Sequence, residues 1–427
     1  MKRIAQALLT FFARRVVRRY HPHVVGITGS YGKTSAKEAI AVVLSHIYDI
    51  QSSAGSFNNE FGVPFTVLGA PTAKGVPGWR RVAVSLWHGA QYLVSHKPYP
   101  PVLVLEMGAD KPGDIEAILG IVPLSVGVIT SVGPTHLHHF GSVENVLAEK
   151  SLIATRVAHD GWIVLNGDDP RVRSLADVSP ASVISFGFSG GVAVRCIDAA
   201  VVKGDSGEHG LMIKVLFNRE TVSVFIPGVV GIHSAYAALA GIAVGIAFHM
   251  DFPDIVAALS RYTPPPGRMR VLSGVKNTTL IDDSYNSSPD ACTAALETLR
   301  SFPAEGKRYA LLGEMADLGA STEPAHREIG RKVVENCIDV FVGVGEAMKH
   351  AASEARKAGM DEDHIFSFDD PVSAAKLVHD RFTPGDTALI KGSQIARMEK
   401  AVKELMADPE RAEELLVRQD TTWLTIP

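Results

Sequence analysis

The sequence predicts an α/β fold in which mostly parallel β-sheets are covered by helices. Short apolar runs alternate with helix-like stretches along the chain, as in βα units built around a parallel sheet. The alternation is interrupted at residues 262–267, where three consecutive prolines cannot continue a helix and indicate a linker. The chain has 427 residues, which is enough for two or three domains.

The individual elements follow the same alternation. Before the linker, strands are predicted at residues 23–28, 102–106, 125–130 and 161–165, and helices at 34–46 and 233–248. Between residues 182 and 226, strands separated by Gly and polar turns indicate an antiparallel excursion. After the linker, strands are predicted at 279–282, 308–312, 339–344, 364–368 and 387–390. The predicted parts are an N-terminal helix (1–23), a central domain (24–262) and a C-terminal domain (263–427).

Composition excludes several classes of protein. Hydrophobic residues make up 46% and charged residues 21%, which is ordinary for a globular protein with a full core. The net charge of −4 offers no global basic field for a nucleic acid. The three cysteines form no CxxC pair, so a disulfide scaffold or zinc ribbon is not expected. We expect a cytoplasmic protein.

The N-terminal residues 2–19 form a basic, amphipathic pattern. They hold six Lys or Arg residues and no acid, with apolar residues at helical spacing. The apolar run is too short to span a bilayer, and no cleavage site of a signal peptide follows it. Two interpretations stay open. We favour a helix packed on the next domain over a helix that rests peripherally on anionic lipid.

The strongest local signal is VVGITGSYGKT at residues 24–34, which is typical of a buried strand, a glycine turn and a helix start. In such a turn, backbone N–H groups close on phosphate oxygens, Lys33 reaches the terminal phosphates and Thr34 can bind Mg²⁺. The common P-loop pattern has a Gly where this chain has Ile27. The sequence therefore predicts a shorter P-loop variant, TGSYGKT.

The predicted P-loop draws attention to three further residues as candidates for the same site. Glu106 ends a buried strand, at the sheet edge where open α/β folds bind ligands, and is placed to hold Mg²⁺ directly or through water. His136 follows another strand, close to two more histidines but without the Cys or HExxH pattern of a zinc site. Lys150 lies on a predicted helix, and taken alone it is typical of a solvated lysine.

Ten motifs occur in an order that closely resembles the Mur ligase family. They are TGSYGKT, SFNNEFGVP (56–64), EMGAD (106–110), ITSVGPTHLHHFGS (129–142), NGDDPRV (166–172), GIHSAYAALA (231–240), PPGRM (265–269), DDSYNSSPD (282–290), LLGEMADLG (311–319) and IKGSQIARMEK (390–400). The resemblance covers residues 23–405. It implies a P-loop-containing, mostly parallel sheet domain followed by a smaller Rossmann-like α/β domain.

The resemblance also implies roles for the matching residues. Those implied to bind the nucleotide are Gly29, Ser30, Tyr31, Gly32, Lys33, Thr34, Arg268, Asp283 and Asn286. Those implied to hold Mg²⁺ are Thr34, Glu106, His136 and Lys150, and those implied to be catalytic are Lys33, His136, Lys150 and Arg268. Those implied to bind substrate are Asn58, Asn59, Lys391 and Ser393. Many members carry the lysine that matches Lys150 as a carbamate, an anion that can help to place Mg²⁺.

The chain departs from the family pattern in two ways. The family commonly has Asn where this chain has Ala237, and that Asn helps to hold adenine. The family's N-terminal domain, which grips the UDP end of the substrate, precedes the P-loop, whereas 23 residues precede Val24. We therefore expect either a substrate that lacks UDP or a basic helix at 2–19 that replaces the missing surface.

The implied reaction is amide ligation driven by ATP with magnesium. The γ-phosphate passes to a substrate carboxylate, and the amine of an amino acid or dipeptide attacks the resulting acyl phosphate. The resemblance favours addition of D-alanyl-D-alanine to a cell-wall peptide precursor, so both partners are small molecules. One alternative is the same ligation on a polymer, lipid-linked or non-muramoyl carboxylate. A remote alternative is a non-catalytic ATP-binding scaffold at a membrane, which would not need Glu106, His136 and Lys150 together.

Overall fold

The computed structural model describes residues 2–53, 55, 57–71, 76–95, 97–205 and 207–425, without the side chains of Lys2, Thr421 and Thr422. Ser56, which begins the SFNNEFGVP motif, lies outside the described residues. The chain divides into two units. The first contains Met1–Ala199, Ile213–Val224 and Ala235–Tyr262, and the second contains Ala200–Met212, Phe225–Ser234 and Thr263–Pro427. The predicted domain boundaries at 23/24 and 262/263 stay predictions.

The first nine strands form one sheet. They are β1 (His23–Thr28), β2 (Ile50–Ser52), β3 (Val102–Glu106), β4 (Leu124–Ile129), β5 (Val157–Asn166), β6 (Ser182–Gly187), β7 (Val194–Lys203), β8 (His209–Phe217) and β9 (Glu220–Pro227). The helices up to residue 259 are α1 (Lys2–Tyr20), α2 (Lys33–Leu44), α3 (Gly62–Val67), α4 (Gly78–Val94), α5 (Asp114–Leu119), α6 (Leu137–Phe140), α7 (Val143–Arg156), α8 (Pro170–Arg173), α9 (Ala235–Ala247) and α10 (Phe252–Leu259).

The order of strands in this sheet is β2-β3-β1-β4-β5-β6-β7-β8-β9. β1 lies between β3 and β4 and pairs with both in parallel. Ile27 pairs with Glu106 and Thr28 pairs with Ile129, so the carboxyl ends of the three strands meet at one edge. The predicted mostly parallel α/β fold is therefore confirmed, and the predicted bounds of β1 and β3 are those of the structure.

The antiparallel excursion predicted from residue 182 begins later than expected. β6 pairs in parallel with β5 and also with the start of β7, so that part of the prediction is wrong. The segment between β5 and β6 contains α8 and a short 3₁₀ helix, which is long enough for the crossover that parallel strands need. Asn218-Arg219, one of the polar turns in this region, joins β8 to β9, and both residues have positive φ (47° and 70°), as in a type I′ hairpin.

The helix α1 packs on the core of the first unit. Its inward face buries Leu9, Ala13, Val16 and Val17 among residues of β1, β3 and the neighbouring helices. This face confirms the packed-helix interpretation of residues 2–19. The opposite face is open to solvent, with Leu8 43% and Phe11 50% exposed. Among the described residues, no helix is both long and apolar enough to cross a membrane.

The second unit contains a six-stranded sheet. Its strands are β10 (Arg270–Gly274), β11 (Thr278–Asp283), β12 (Arg308–Gly313), β13 (Val340–Val344), β14 (Ile365–Phe368) and β15 (Thr387–Lys391), in the order β10-β11-β15-β12-β13-β14. Only β10 runs antiparallel to its neighbour, and it is the one strand of this sheet that the sequence did not predict. The remaining helices are α11 (Pro289–Ser301), α12 (Thr322–Glu335), α13 (Met348–Lys357), α14 (Pro371–Arg381), α15 (Glu399–Leu405), α16 (Ala412–Leu415) and α17 (Thr421–Leu424).

Helices cover both faces of this second sheet. One face packs on α11, α12 and α13 through a core that includes Leu296, Ile329 and Ala351. The other packs on α14 and α15 through a core that includes Val378 and Val402. Because both faces are covered, the central strands β12, β13 and β15 are buried along almost their whole length. Residues that follow the carboxyl ends of these strands are therefore the ones available to a ligand.

The two neighbouring leucines of α1 provide a test of its packing. Leu9 is fully buried, so we expect Leu9→Ala to lower the free energy of unfolding by about 2–5 kcal/mol. Leu8 is 43% exposed, and Leu8→Ala should change the free energy of unfolding by about 0.5 kcal/mol or less. Urea denaturation of both variants measures the difference. Equal effects of the two substitutions would contradict the packing of α1 on this core.

Candidate active site

The turn between β1 and α2 needs glycine at two positions. Gly29 has φ +155° and Gly32 has φ +79°, a region that L-residues rarely adopt. A Cβ atom on Gly29 would lie 2.0 Å from Oγ1 of Thr130, so the close approach of these two segments excludes a side chain there. Gly32 is the N-cap of α2, and the turn therefore ends at a helix N-terminus, where anions are stabilised.

Lys33 and Ser30 give this turn its shape. The Lys33 ammonium donates hydrogen bonds to the carbonyl oxygens of Gly29 (2.7 Å) and Ser30 (3.3 Å), so its charge lies over the turn. The Ser30 hydroxyl donates a hydrogen bond to the carbonyl oxygen of Gly133 (3.1 Å) and accepts one from the N–H of Gly133 (2.9 Å). Tyr31 is 47% exposed, and its N–H donates to the Ser131 hydroxyl at 2.8 Å. The P-loop is thus held against the segment that follows β4.

At the end of β3, the Glu106 carboxylate accepts hydrogen bonds from two side chains. The Thr34 hydroxyl donates to its Oε2 at 3.0 Å, and the Asn58 amide donates to its Oε1 at 3.1 Å. Glu106 itself is 3% exposed. The structure therefore brings together Thr34 and Glu106, two of the residues predicted to hold Mg²⁺, and their role as metal ligands stays a prediction. Asn58, predicted to bind substrate, contacts the predicted metal ligand instead, and its role stays a prediction.

Asn59 has a local contact as well. Its side-chain oxygen accepts hydrogen bonds from the N–H groups of Phe61 (3.1 Å) and Gly62 (2.9 Å), which stabilises the turn into α3. The proposed substrate contact of Asn59 stays a prediction. Ala237, the position where the family commonly has Asn, is 6% exposed near the start of α9.

His136 and Lys150 share one electrostatic environment with Lys33. His136 has a left-handed backbone (φ 52°), and its Nε2 lies 3.5 Å from Oδ1 of Asp110. Burial lowers the pKa of His136, and the charges of Lys33 and Lys150 lower it further against the opposing effect of Asp110. Lys150 is 3% exposed on α7, and burial, together with the Lys33 ammonium, lowers its pKa to about 7. The neutral amine form is therefore more favoured for Lys150 than for a solvent-exposed lysine.

The sequence did not single out two acidic residues of this environment. Glu149 is 7% exposed and accepts hydrogen bonds from the N–H groups of Gly113 (2.9 Å) and Ile115 (2.7 Å), which fixes the start of α5 against α7. Asp110 is the partner of His136. Their sequence positions gave a weak signal, since Glu149 precedes Lys150 and Asp110 ends the EMGAD motif.

The oxygen groups of Thr34 and Glu106 fit Mg²⁺. This ion prefers oxygen ligands and is usually bound by one or two protein groups together with phosphates and waters. A hydroxyl and a carboxylate 3.0 Å apart, beside the turn predicted to bind phosphate, supply that donor set. No group of three or more His, Cys, Asp or Glu side chains within the described part of the chain is arranged to hold a metal ion.

In the second unit, a pair of aspartates shapes the turn that carries Arg268. Asp282 is fully buried and accepts a hydrogen bond from the N–H of Gly267 (3.0 Å), and burial raises the pKa of Asp282 to about 6. Asp283 accepts from the N–H of Met269 at 3.2 Å. The Arg268 guanidinium lies 3.9 Å from the ring centroid of Tyr285, which holds it by a cation–π contact. The two aspartates thus fix the backbone on either side of Arg268, and Tyr285 fixes its guanidinium.

Lys391 makes a buried ion pair at the end of β15. Its ammonium lies 2.5 Å from Oδ2 of Asp283 and 2.8 Å from the carbonyl oxygen of Asn286. The two charged side chains are 3% and 12% exposed. The structure therefore brings together three residues that the resemblance assigned to two different ligands. Their contacts to nucleotide or substrate stay predictions.

Ser393 closely precedes Ile395, which lines a cavity at the carboxyl ends of the second sheet. Its side chain is buried, and its hydroxyl has no hydrogen-bond partner among the described residues, although the N–H of Ser393 donates to Glu314. The cavity has a volume of about 260 Å³. Its lining residues include both acids and bases, namely Glu314, Asp369, Asp370, Arg397 and Lys400. Glu314 lies in the LLGEMADLG motif, and Arg397 and Lys400 lie in the IKGSQIARMEK motif, whereas the sequence gave no signal for Asp369 and Asp370.

Known proteins resemble this chain over most of its length. Residues 91–245 match the family described as Mur ligase middle domain, and residues 267–394 match the Mur ligase, glutamate ligase domain. The chain is 33% identical to UDP-N-acetylmuramoyl-tripeptide–D-alanyl-D-alanine ligase of Mycobacterium tuberculosis, over 90% of this chain and 73% of that protein. The enzyme of the same name from Bacillus subtilis is 27% identical over 93% of this chain and 79% of its own.

Solved structures agree with the sequence relatives. The MurF ligase from Thermotoga maritima in complex with ADP has a TM-score of 0.76 and is 25% identical, over 95% of this chain and 84% of that chain. The predictions of an enzyme and of dependence on ATP are confirmed. Sequence relatives, fold and the P-loop geometry lead to one conclusion: the chain belongs to the Mur ligase family and is an ATP-dependent ligase.

Proposed function

We propose that the chain joins the carboxylate of a cell-wall peptide precursor to the amine of D-alanyl-D-alanine, with ATP and Mg²⁺. The relatives from Mycobacterium tuberculosis and Bacillus subtilis carry these two substrates in their names. One structural observation supports ligation over mere nucleotide binding. Lys150 is buried beside the charge of Lys33, and its pKa falls to about 7, a cost that nucleotide binding alone does not require.

The first step transfers the γ-phosphoryl group of ATP to the substrate carboxylate. An oxygen of the carboxylate attacks the γ-phosphorus, the bond to the bridging oxygen breaks, and ADP leaves with the electron pair. Lys33 neutralises charge on the phosphates, since its ammonium already lies over the turn that would hold them. Mg²⁺, held through Thr34 and Glu106, would reduce the repulsion between carboxylate and phosphate.

The second step forms the amide bond. The neutral amine of the dipeptide attacks the acyl carbon, the amine loses a proton, and inorganic phosphate leaves. The cavity at the carboxyl ends of the second sheet supports a zwitterionic substrate, since a dipeptide has an ammonium and a carboxylate group and the cavity offers Glu314 and Asp369 as well as Lys400. We propose that Lys400 binds the dipeptide carboxylate. Arg397 is a weaker candidate because its guanidinium already pairs with Glu399 at 2.6 Å.

We further propose that Lys150 is carbamylated in the active enzyme. The neutral amine attacks the carbon of CO₂, a C–N bond forms, and the nitrogen releases a proton to leave an anionic carbamate. The lowered pKa supports this reaction because a protonated lysine has no lone pair to donate. The carbamate would place an anion beside Lys33 and His136, where an unmodified lysine is neutral or cationic, and would favour the approach of Mg²⁺.

The predicted membrane contact of residues 2–19 stays a proposal. One face of α1 is committed to the core, so a peripheral contact would have to use the exposed face.

Lys33→Ala should lower phosphate release by on the order of a hundredfold or more, because the phosphate charge loses its counter-charge. The assay supplies ATP, Mg²⁺, D-alanyl-D-alanine and a muramoyl tripeptide, with and without UDP, and omits each acid and amine in turn. Lys203→Ala, which removes an exposed lysine, is the control. Phosphate release that does not require both acid and amine would contradict ligation, and a near-normal Lys33→Ala rate would contradict the P-loop assignment.

Carbon-13 bicarbonate should give a carbamate resonance in the wild-type protein that is absent in Lys150→Ala. Its intensity should fall as the pH is lowered through about 7, because the amine becomes protonated. Lys150→Ala should lose turnover, and acetate should restore part of it by placing a carboxylate in the vacated space. A Lys150→Ala rate equal to the wild-type rate in buffer that contains bicarbonate, or a wild-type rate that does not fall when bicarbonate is removed, would show that no carbamate is needed.

Lys400→Ala should raise the KM for D-alanyl-D-alanine by about tenfold or more, since one charged hydrogen bond contributes about 1.5–3 kcal/mol. The KM for ATP should change little. Lys403, one turn further along α15 and exposed, provides the matched control Lys403→Ala. Initial-rate kinetics on both variants decide the matter. An unchanged KM for the dipeptide in Lys400→Ala would exclude this cavity as its carboxylate site.

A further inference from the structure

The helix α4 exposes an apolar stripe. Trp79, Ala83, Trp87 and Val94 recur at helical spacing and share one side of the helix. Trp79 is 74%, Trp87 65% and Val94 84% exposed, which is unusual for side chains of this size. The buried residues of α4, such as Gly89 and Tyr92, lie on its other side. The stripe is therefore not needed for the packing of α4 itself.

A second apolar stripe lies on α1 beside the first. Ile4 (67%), Leu8 (43%) and Phe11 (50%) are exposed on the face opposite the buried one. The two helices are in contact at Phe12 of α1 and Gly89 of α4. A Cβ atom added to Gly89 would lie 3.0 Å from the Cβ of Phe12. Leu8 precedes Phe12 by one helical turn, and Phe11 packs edge-on against Phe12 with ring centroids 5.6 Å apart. The α1 stripe therefore flanks the contact with α4.

We call these exposed side chains the two-helix face; its members are Ile4, Leu8, Phe11, Trp79, Trp87 and Val94. On α4, Trp87 and Val94 directly follow Leu86 and Leu93, which pack partly on the core of the first unit. The apolar surface thus continues outward from that core on both helices. Exposed apolar residues are common singly, whereas a grouping of this kind marks an interaction site.

The two helices that form this face carry charge of one sign. Residues 2–20 and 78–97 contain nine Lys or Arg residues and no Asp or Glu. Since the chain has 42 basic and 46 acidic residues, all the other residues together carry 33 basic and 46 acidic side chains, a balance of −13. Arg15, one turn beyond Phe11, lies over its ring at 5.2 Å. Positive charge is therefore concentrated on an otherwise acidic protein where the apolar side chains are exposed.

We propose that the two-helix face docks on the surface of an anionic lipid bilayer. Exposed Trp, Phe and Leu side chains with flanking arginines are typical of helices that lie in the interfacial plane, with their apolar side at the boundary of headgroups and acyl chains. The arginines supply the complementary charge for anionic headgroups. A protein partner would need an equally continuous acidic and apolar surface, and nothing in the two helices offers an acidic group for specific pairing. This inference does not depend on the substrates proposed above.

Vesicle binding tests the proposal with the intact protein. The probes are phosphatidylcholine vesicles and vesicles of phosphatidylcholine with phosphatidylglycerol, in co-sedimentation and tryptophan fluorescence. Trp79 and Trp87 are two of the four tryptophans and the most exposed, so insertion should shift the emission to the blue. We expect binding to the anionic vesicles alone, weakened by added salt because the arginine contacts are screened.

Two double variants separate the apolar and the charged contributions. Trp79→Ala with Trp87→Ala should weaken binding by on the order of tenfold or more. Arg15→Ala with Arg18→Ala should weaken it by about 25-fold, since each basic residue contributes about fivefold at an anionic surface. Ile47→Ala and Arg173→Ala remove an exposed apolar and an exposed basic residue elsewhere in the first unit, and should bind as wild type. Circular dichroism and phosphate release check that each variant is folded.

Several results would overturn the proposal. Folded wild-type protein that fails to sediment with anionic vesicles would do so, as would equal losses in the control variants. Salt-insensitive binding to both kinds of vesicle would show that the charges are not involved. Self-association that is abolished by the tryptophan variant, without vesicle binding, would assign the two-helix face to a second copy of the chain instead.

Discussion

The parallel pairing of β1 with β3 and β4 determines most of the first unit's chemistry. Parallel strands end at the same edge, so the residues after β1, β3 and β4 are brought together whatever their separation in sequence. Glu106 and Thr34 are 72 residues apart in the chain but share a hydrogen bond of 3.0 Å. The close approach of Gly29 to Thr130 holds the turn at this edge. Without that register, neither the P-loop nor the carboxylate would have a partner.

Buried charge plays a different part in each unit. In the second unit, Lys391 and Asp283 neutralise one another, so the pair fixes the neighbouring Arg268 turn through backbone contacts. In the first unit, burial and the charge of Lys33 lower the pKa of Lys150 more than Glu149 and Asp110 raise it. The first arrangement stabilises geometry. The second favours the neutral amine form of Lys150, which the proposed carbamylation requires.

The sequence predicted the parts whose signal is local. The periodicity of β1 and β3 gave their bounds, and TGSYGKT gave the turn with its glycines. It did not predict that β6 pairs in parallel, because a strand's apolar pattern does not reveal the direction of its neighbour. The contact of Asn58 with Glu106 and the charges around the second-unit cavity depend on loops meeting in space, and no spacing along the chain encodes that. The exposed side of α4 was equally hidden, since its tryptophans look like core residues until burial is known.

The division of the chain into interleaved segments has a consequence for modularity. The chain passes between the units at residues 199/200, 212/213, 224/225, 234/235 and 262/263, so neither unit is one continuous stretch. Val230, far before the proline-rich linker, belongs to the same apolar core as Leu296 and Phe341. A cut at the linker would therefore separate core residues of the second unit from one another. We therefore expect that neither unit can be exchanged between relatives by a single cut in the chain. Recombination within this family would have to keep all five segment boundaries between the units.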